Sequence, residues 1–167
     1  MNPQILSSKY HVRRLEERDI PDIYALCIKN PLYYEYCPPV VTPEGIKSDM
    51  EELPPNTAPS QKYYLGFYEQ QKLIAVLDLI DGYPTKENAF IGFFMIDTSI
   101  QKQGIGSQMI EEVCDVLTKE GFGSIRLAWV KGNPQAEHFW KKNGFQVLKE
   151  TSSNAADSVM LAERKLK

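Results

Sequence analysis

The stretch from residue 89 to residue 130 constrains the fold more than any other. It begins with Ala89-Phe90-Ile91-Gly92-Phe93-Phe94-Met95-Ile96 and continues through a polar connection containing Gly104 and Gly106. A helical stripe of Met109, Ile110, Val113, Cys114, Val116 and Leu117 follows over residues 107–120, and a second strand-like run covers residues 124–130. The first run is apolar on both faces, which places it centrally in a sheet covered on both sides. Strand, helix and strand in this order form a β-α-β unit whose crossover is right-handed in nearly all proteins.

The rest of the chain divides around that unit. Residues 10–15 read as a first strand, and Asp19 caps a helix carrying Ile20, Ile23, Leu26 and Cys27. Thr42-Pro43-Glu44-Gly45 opens a second helix with Ile46, Met50 and Leu53 following. Between them Pro31-Leu32-Tyr33-Tyr34-Glu35-Tyr36-Cys37-Pro38-Pro39 reads as an aromatic loop, and residues 53–59 as a Pro-rich loop. Residues 62–69 and 72–80 form a predicted hairpin, and Asp81-Gly82-Tyr83-Pro84 turns the chain into the central run. Asn133-Pro134 starts a last helix that Gly144 ends, and residues 145–148 and 158–166 supply two final strands. The predicted order is β-α-α-β-β-β-α-β-α-β-β, an α/β (α+β) fold around a mixed, mostly antiparallel sheet of about seven strands.

With 167 residues and no internal repeat or dividing linker, the chain is expected to be a single domain over residues 1–167. A formal net charge of −3 argues against a general nucleic-acid or anionic-membrane binder. Three unpaired-looking cysteines and two histidines suggest neither a disulfide framework nor a metal site. The N-terminus lacks a basic start followed by an apolar run, and no stretch is long enough for a membrane span, so a cytoplasmic protein is expected.

The chemistry is carried by Gln101-Lys102-Gln103-Gly104-Ile105-Gly106-Ser107. Glycines in front of a helix let the backbone approach a ligand closely, and the helix N-terminus offers unpaired N–H groups and partial positive charge to a phosphate. The loop lacks the GK[ST] ending of a P-loop, and Met109 stands where a dinucleotide fingerprint needs its third glycine. A second block lies one strand downstream: Asn133-Pro134-Gln135-Ala136-Glu137-His138-Phe139-Trp140-Lys141-Lys142-Asn143-Gly144-Phe145. The [QR]xxGxG loop and this Asn-capped helix resemble motifs A and B of the GNAT (Gcn5-related) N-acetyltransferase superfamily, and the element order matches over about residues 10–166.

The resemblance implies a three-layer sandwich and acetyl-CoA as co-substrate. It further implies that Phe94, Met95 and Ile96 pair their backbone with the pantetheine arm between two splayed strands. Gln101, Lys102, Gln103, Gly104, Ile105, Gly106 and Ser107 would cradle the pyrophosphate, with Asn133 and Trp140 against the cofactor and Lys142 near a phosphate. The connection between the first two helices would form the acceptor pocket, with Tyr33, Tyr34 and Tyr36 lining it or packing over the core. The acceptor would be an amine on a small molecule or a protein, and the protein a monomer or homodimer.

Amine transfer needs a base, because an ammonium has no lone pair to attack with. Two departures from the family pattern bear on this. Trp140 stands where relatives carry a tyrosine acid, and the central strand has no carboxylate where relatives often have a glutamate. Asp78 and Asp81 are the nearest carboxylates, Asp78 being either a buried group facing the site or, as in a plain alternating strand, a solvent-facing one. Tyr83 and His138 are alternative proton donors. The expected activity is acetyl transfer to a primary amine by direct attack in a ternary complex, the alternative being a non-catalytic acyl-CoA-binding or sensing module on the same fold.

Overall fold

The computed structural model describes residues 1–153 and 158–167. Seven strands form one sheet: β1 (His11–Arg14), β2 (Lys62–Glu69), β3 (Lys72–Asp81), β4 (Asn88–Ile96), β5 (Ser124–Val130), β6 (Gln146–Thr151) and β7 (Val159–Lys165). Their order across the sheet is β1-β2-β3-β4-β5-β7-β6, with β4 in the centre. Only β4 and β5 run parallel, and every other neighbouring pair is antiparallel. The expected mixed sheet is therefore observed.

Helices cover both faces. On one side lie α1 (Ile20–Cys27), α2 (Pro31–Tyr36) and α3 (Pro43–Glu51), whose Ile23, Leu26, Cys27 and Ile46 pack with Tyr64, Val76 and Met95. On the other lies α4 (Ile105–Lys119), its predicted stripe buried against Leu65, Phe67, Leu77, Ala89, Ile91 and Leu127. Trp140 of α5 (Pro134–Lys142) joins that second cluster. Each fully buried aliphatic side chain in these layers contributes about 1.5–3 kcal/mol, so the two apolar faces of β4 hold the three layers together.

One sequence expectation needs correcting. The aromatic segment read as a loop contains the short helix α2, with Pro31 in its first turn. Tyrosine is a mediocre helix former, and the turn is held by packing: Tyr33 sets its edge against Phe93 of β4 at 5.5 Å between ring centroids.

The parallel pair is pinned at one end and open at the other. At the start of β4, Asn88 Nδ2 donates to Ser124 Oγ at 2.7 Å, and that hydroxyl donates to Glu163 of β7 at 2.9 Å. Arg126 Nε also donates to Glu163, at 3.0 Å. The β4–β5 register runs only from Asn88 opposite Ser124 to Ile91 opposite Leu127. Beyond it β4 stays paired with β3 and β5 with β7, so the two strands fork.

Candidate active site

The fork opens at Gly92, where β4 carries an extra residue. Asp78 of β3 pairs with Phe93 and Leu79 pairs with Ile91, leaving Gly92 as the bulge. A β-carbon at position 92 would lie 2.6 Å from Asp78 Oδ2, so the carboxylate of β3 fills the space a side chain on β4 would take. Glycine is required here because a neighbour's carboxylate needs the room.

Asp78 is not the solvent-facing residue that simple alternation allows. Helices cover this face of β3 as well, and Asp78 is only 9% exposed. Oδ2 accepts from Lys62 Nζ at 3.0 Å, while Oδ1 is buried without a hydrogen-bond partner. Burial pushes its carboxyl up to about 6, against the opposing pull of the Lys62 ammonium. Such an acid is ionised near neutral pH yet close enough in affinity to take up a proton.

Gly92→Ala is expected to displace this carboxylate and lower kcat about tenfold or more, because a 1 Å misplacement of a catalytic group can cost that much. Steady-state kinetics beside a CoA titration check it: kcat falls while CoA affinity is kept.

Among the described residues, one other buried side-chain polar atom is unpartnered, Trp129 Nε1. It belongs to β5 beyond the last residue paired with β4. An acceptor and a donor with unmet hydrogen-bonding capacity therefore occur on the strands around the fork.

Past the open end of β4 the chain makes the glycine loop. Lys102 and Gly104 have φ of 61° and 78°, and left-handed turns of this kind build anion-binding concavities. Gly104 is the residue before α4, and a β-carbon on it would meet nothing within 4 Å. The first-turn amides of α4 have no acceptor within the helix, so they face that open space with their partial positive charge. Gly106 is buried, and a β-carbon there would come within 3.3 Å of Ile96 and of Phe139. The loop is thus compact on its protein side and open in front, as a pyrophosphate would require.

Further contacts set the loop against the rest. Asp97 is buried and caps the turn before the loop by accepting from Ser99, with Lys29 and Lys72 nearby at 3.7 Å. The Gln101 side chain turns away from the loop, donating to Asn30 Oδ1 at 2.7 Å and to the Ile96 carbonyl at 3.1 Å. Asn30 is the residue before α2, so loop and helix are joined directly.

The remaining sequence candidates fall into two groups. Asn133 is buried and caps α5 by accepting from the Ala136 amide at 3.2 Å. Trp140 is buried in an aromatic cluster with Phe94, Phe139 and Phe145, and its indole offers no hydroxyl acid. Tyr33 and Tyr34 pack edge to face at 4.9 Å. Burial raises both tyrosines well above the ordinary range. Tyr33 lies over Phe93, the cross-strand neighbour of Asp78, whereas Tyr36 is half-buried.

Asp81 is three residues from Asp78 on one strand and so points to the opposite face, away from Lys62 and the bulge. Tyr83 stacks edge to face on Phe90 at 5.4 Å, toward the pinned end of the fork. His138 and Lys142 line an open groove on α5 with Pro134, Glu137 and Lys141. Lys62, which pairs with Asp78, was not among the sequence candidates. It stands two residues before Tyr64, the partner of Asp78, a relation visible only once the β2–β3 register is known.

A fork between parallel strands, a glycine loop before a helix and a buried carboxylate thus surround the open end of β4. The Acetyltransferase (GNAT) family matches residues 29–145, and the chain belongs to that family. No curated protein matches the chain in sequence. An acetyltransferase from Thermus thermophilus is 21% identical with a TM-score of 0.79, over 95% of this chain and 97% of that one. Spermidine N-acetyltransferase from Vibrio cholerae in complex with CoA and spermine is 18% identical with a TM-score of 0.69, over 95% and 96%. The ribosomal-protein-S18-alanine N-acetyltransferase from Escherichia coli is 15% identical with a TM-score of 0.65, over 95% and 94%. At these identities the likeness is one of fold. Among the described residues no helix is long and apolar enough to cross a membrane.

Proposed function

We propose that this acetyltransferase moves the acetyl group of acetyl-CoA to a primary amine by direct attack, with both substrates bound together. The carrying observation is the Asp78 carboxylate seated over the Gly92 bulge at the mouth of the fork, with Oδ1 unpartnered. Acetyl-CoA supplies an activated acyl carbon and a thiolate leaving group. Asp78 takes the proton that the amine must lose, directly or through one water. The amides at the start of α4 hold the pyrophosphate, and the free edge of β4 over residues 92–96 offers hydrogen bonds to the pantetheine amides.

Two of the three thiols are poorly suited to form an acyl-enzyme. Cys27 and Cys114 are buried, and burial pushes both up to about 11, so neither is a thiolate near neutral pH. A cationic acceptor, such as a polyamine, an amino-acid derivative, an aminoglycoside-like compound or a protein amine, suits the acidic Glu35, Glu44, Glu51 and Glu52 on the helical side of Asp78. A panel of these amines with acetyl-CoA, read by free-thiol release and product mass, tests the reading. Acetylated product supports it; tight CoA binding with no turnover across the panel leaves the non-catalytic module.

Trp129 and Trp140 are the only tryptophans, one on β5 beyond the fork and one on α5. CoA binding is expected to change the intrinsic fluorescence. An unchanged spectrum at saturating CoA, with binding shown by calorimetry, would place the cofactor elsewhere.

A further inference from the structure

We propose that Lys62 is a positioning residue for acetyl transfer: its buried ammonium, anchored on the end of α3, holds the Asp78 carboxylate over Gly92 and balances its charge. The inference rests on the reading of Asp78 as the proton acceptor. Lys62 is 7% exposed, and lysine is almost never this buried unless paired. Its Nζ donates to the Glu52 carbonyl just past α3 at 2.9 Å and to Asp78 Oδ2 at 3.0 Å. The ring of Tyr64 lies 5.6 Å beneath it. Both anchors are fixed, one by a helix end and one by a strand, so the carboxylate has a single orientation over Gly92.

A stability role accounts poorly for this pair. Buried ion pairs usually recover little more than their desolvation cost, and well-packed apolar replacements are often as stable. What the pair does supply is a fixed place for the carboxylate over Gly92 and a compensating charge. The groups acting on Asp78 are Lys62 from β2, Asp49 from α3 and Glu52 just past it; Tyr64 of β2 also faces Asp78 and has Tyr33 of α2 and Cys27 of α1 on its own side. The tyrosines and the thiol stay neutral near pH 7, because burial raises each of them. Asp49 and Glu52 oppose ionisation of Asp78, and Lys62 favours it. Without the lysine, burial and two anions all act to keep Asp78 protonated.

The test compares K62M, K62Q and K62R with D78N in the full chain, using an amine that the wild type acetylates. K62Q keeps a hydrogen-bond donor without the charge, so a folding failure of K62M alone does not end the test. In K62M and K62Q the acid limb of kcat/KM is expected to move up by about one to two pH units. Activity at pH 6.5 then falls roughly tenfold and recovers at higher pH. CoA affinity is unchanged, and K62R stays near the wild-type limb. Carbon-13 NMR of the Asp78 carboxyl follows the same shift without reference to turnover. If neither the limb nor the carboxyl titration moves in K62M and K62Q, or activity falls equally at every pH, the proposal is overturned. Full activity in D78N overturns it together with the reading of Asp78; an inactive D78N beside unshifted Lys62 variants overturns the Lys62 proposal alone.

Discussion

Replacing Asp78 by asparagine is expected to lower kcat about 100-fold or more while leaving the Kd for CoA within a factor of two or three, the range for loss of a general base being about 10²–10⁴. Asparagine keeps the shape of the side chain over Gly92 but has no oxygen basic enough to take a proton. The wild-type pH profile carries the same signature. Burial pushes the carboxyl up to about 6, and the active form is the ionised one, so kcat/KM falls as pH drops through that value. In D78N that limb disappears. A D78N variant with wild-type kcat, or a wild-type profile flat from pH 5 to 8, would remove Asp78 from the chemistry.

Enlarging Gly104 gives the second large effect. Gly104→Leu is expected to weaken CoA binding at least about tenfold, which is roughly 1.4 kcal/mol. The added side chain meets no protein atom within 4 Å of its β-carbon, so its bulk projects into the space before the first amides of α4. Left-handed φ at this position adds strain of about 1–2 kcal/mol for any non-glycine residue. Gly104→Ala carries the same strain with little bulk, so calorimetry on both variants separates the two causes. Wild-type affinity in Gly104→Leu would mean that the pyrophosphate is held elsewhere. Gly106 is a poorer probe, because its β-carbon would crowd Ile96 and Phe139 and change packing as well as binding.

The residues behind these effects come from distant segments. Lys62 and Asp78 lie on a hairpin, Gly92 on the next strand, Gly104 at the entrance of α4 and Tyr33 on a helix far upstream. The Gln101–Asn30 hydrogen bond joins the glycine loop to the start of that helix.

Much of the frame was legible because short-range physics writes it. Apolar residues on both faces marked β4 as central, helical spacing marked α4, and Asn133-Pro134 marked the start of α5. The α2 helix was hidden because its six residues, a proline and three tyrosines among them, are too few to carry a stripe of their own. The environment of Asp78 was hidden for a stronger reason. The pairing of β2 with β3 shifts register at Phe67 and Tyr68, and that of β3 with β4 shifts at Asp78 and Leu79. A one-residue shift reverses which face every later side chain meets, and no local sequence signal fixes it.

Sequence alone therefore determined the class of architecture, the central strand with its crossover helix, and a glycine loop chemically suited to an anionic cofactor. Those features depend on periodicity, capping and backbone freedom, all properties of neighbouring residues. Only the tertiary structure decided which carboxylate stands at the fork, that Gly92 makes room for it, and that a buried lysine holds it there. Bulges and long-range pairing brought those three residues together, and the energies that choose among registers are spread over the whole sheet.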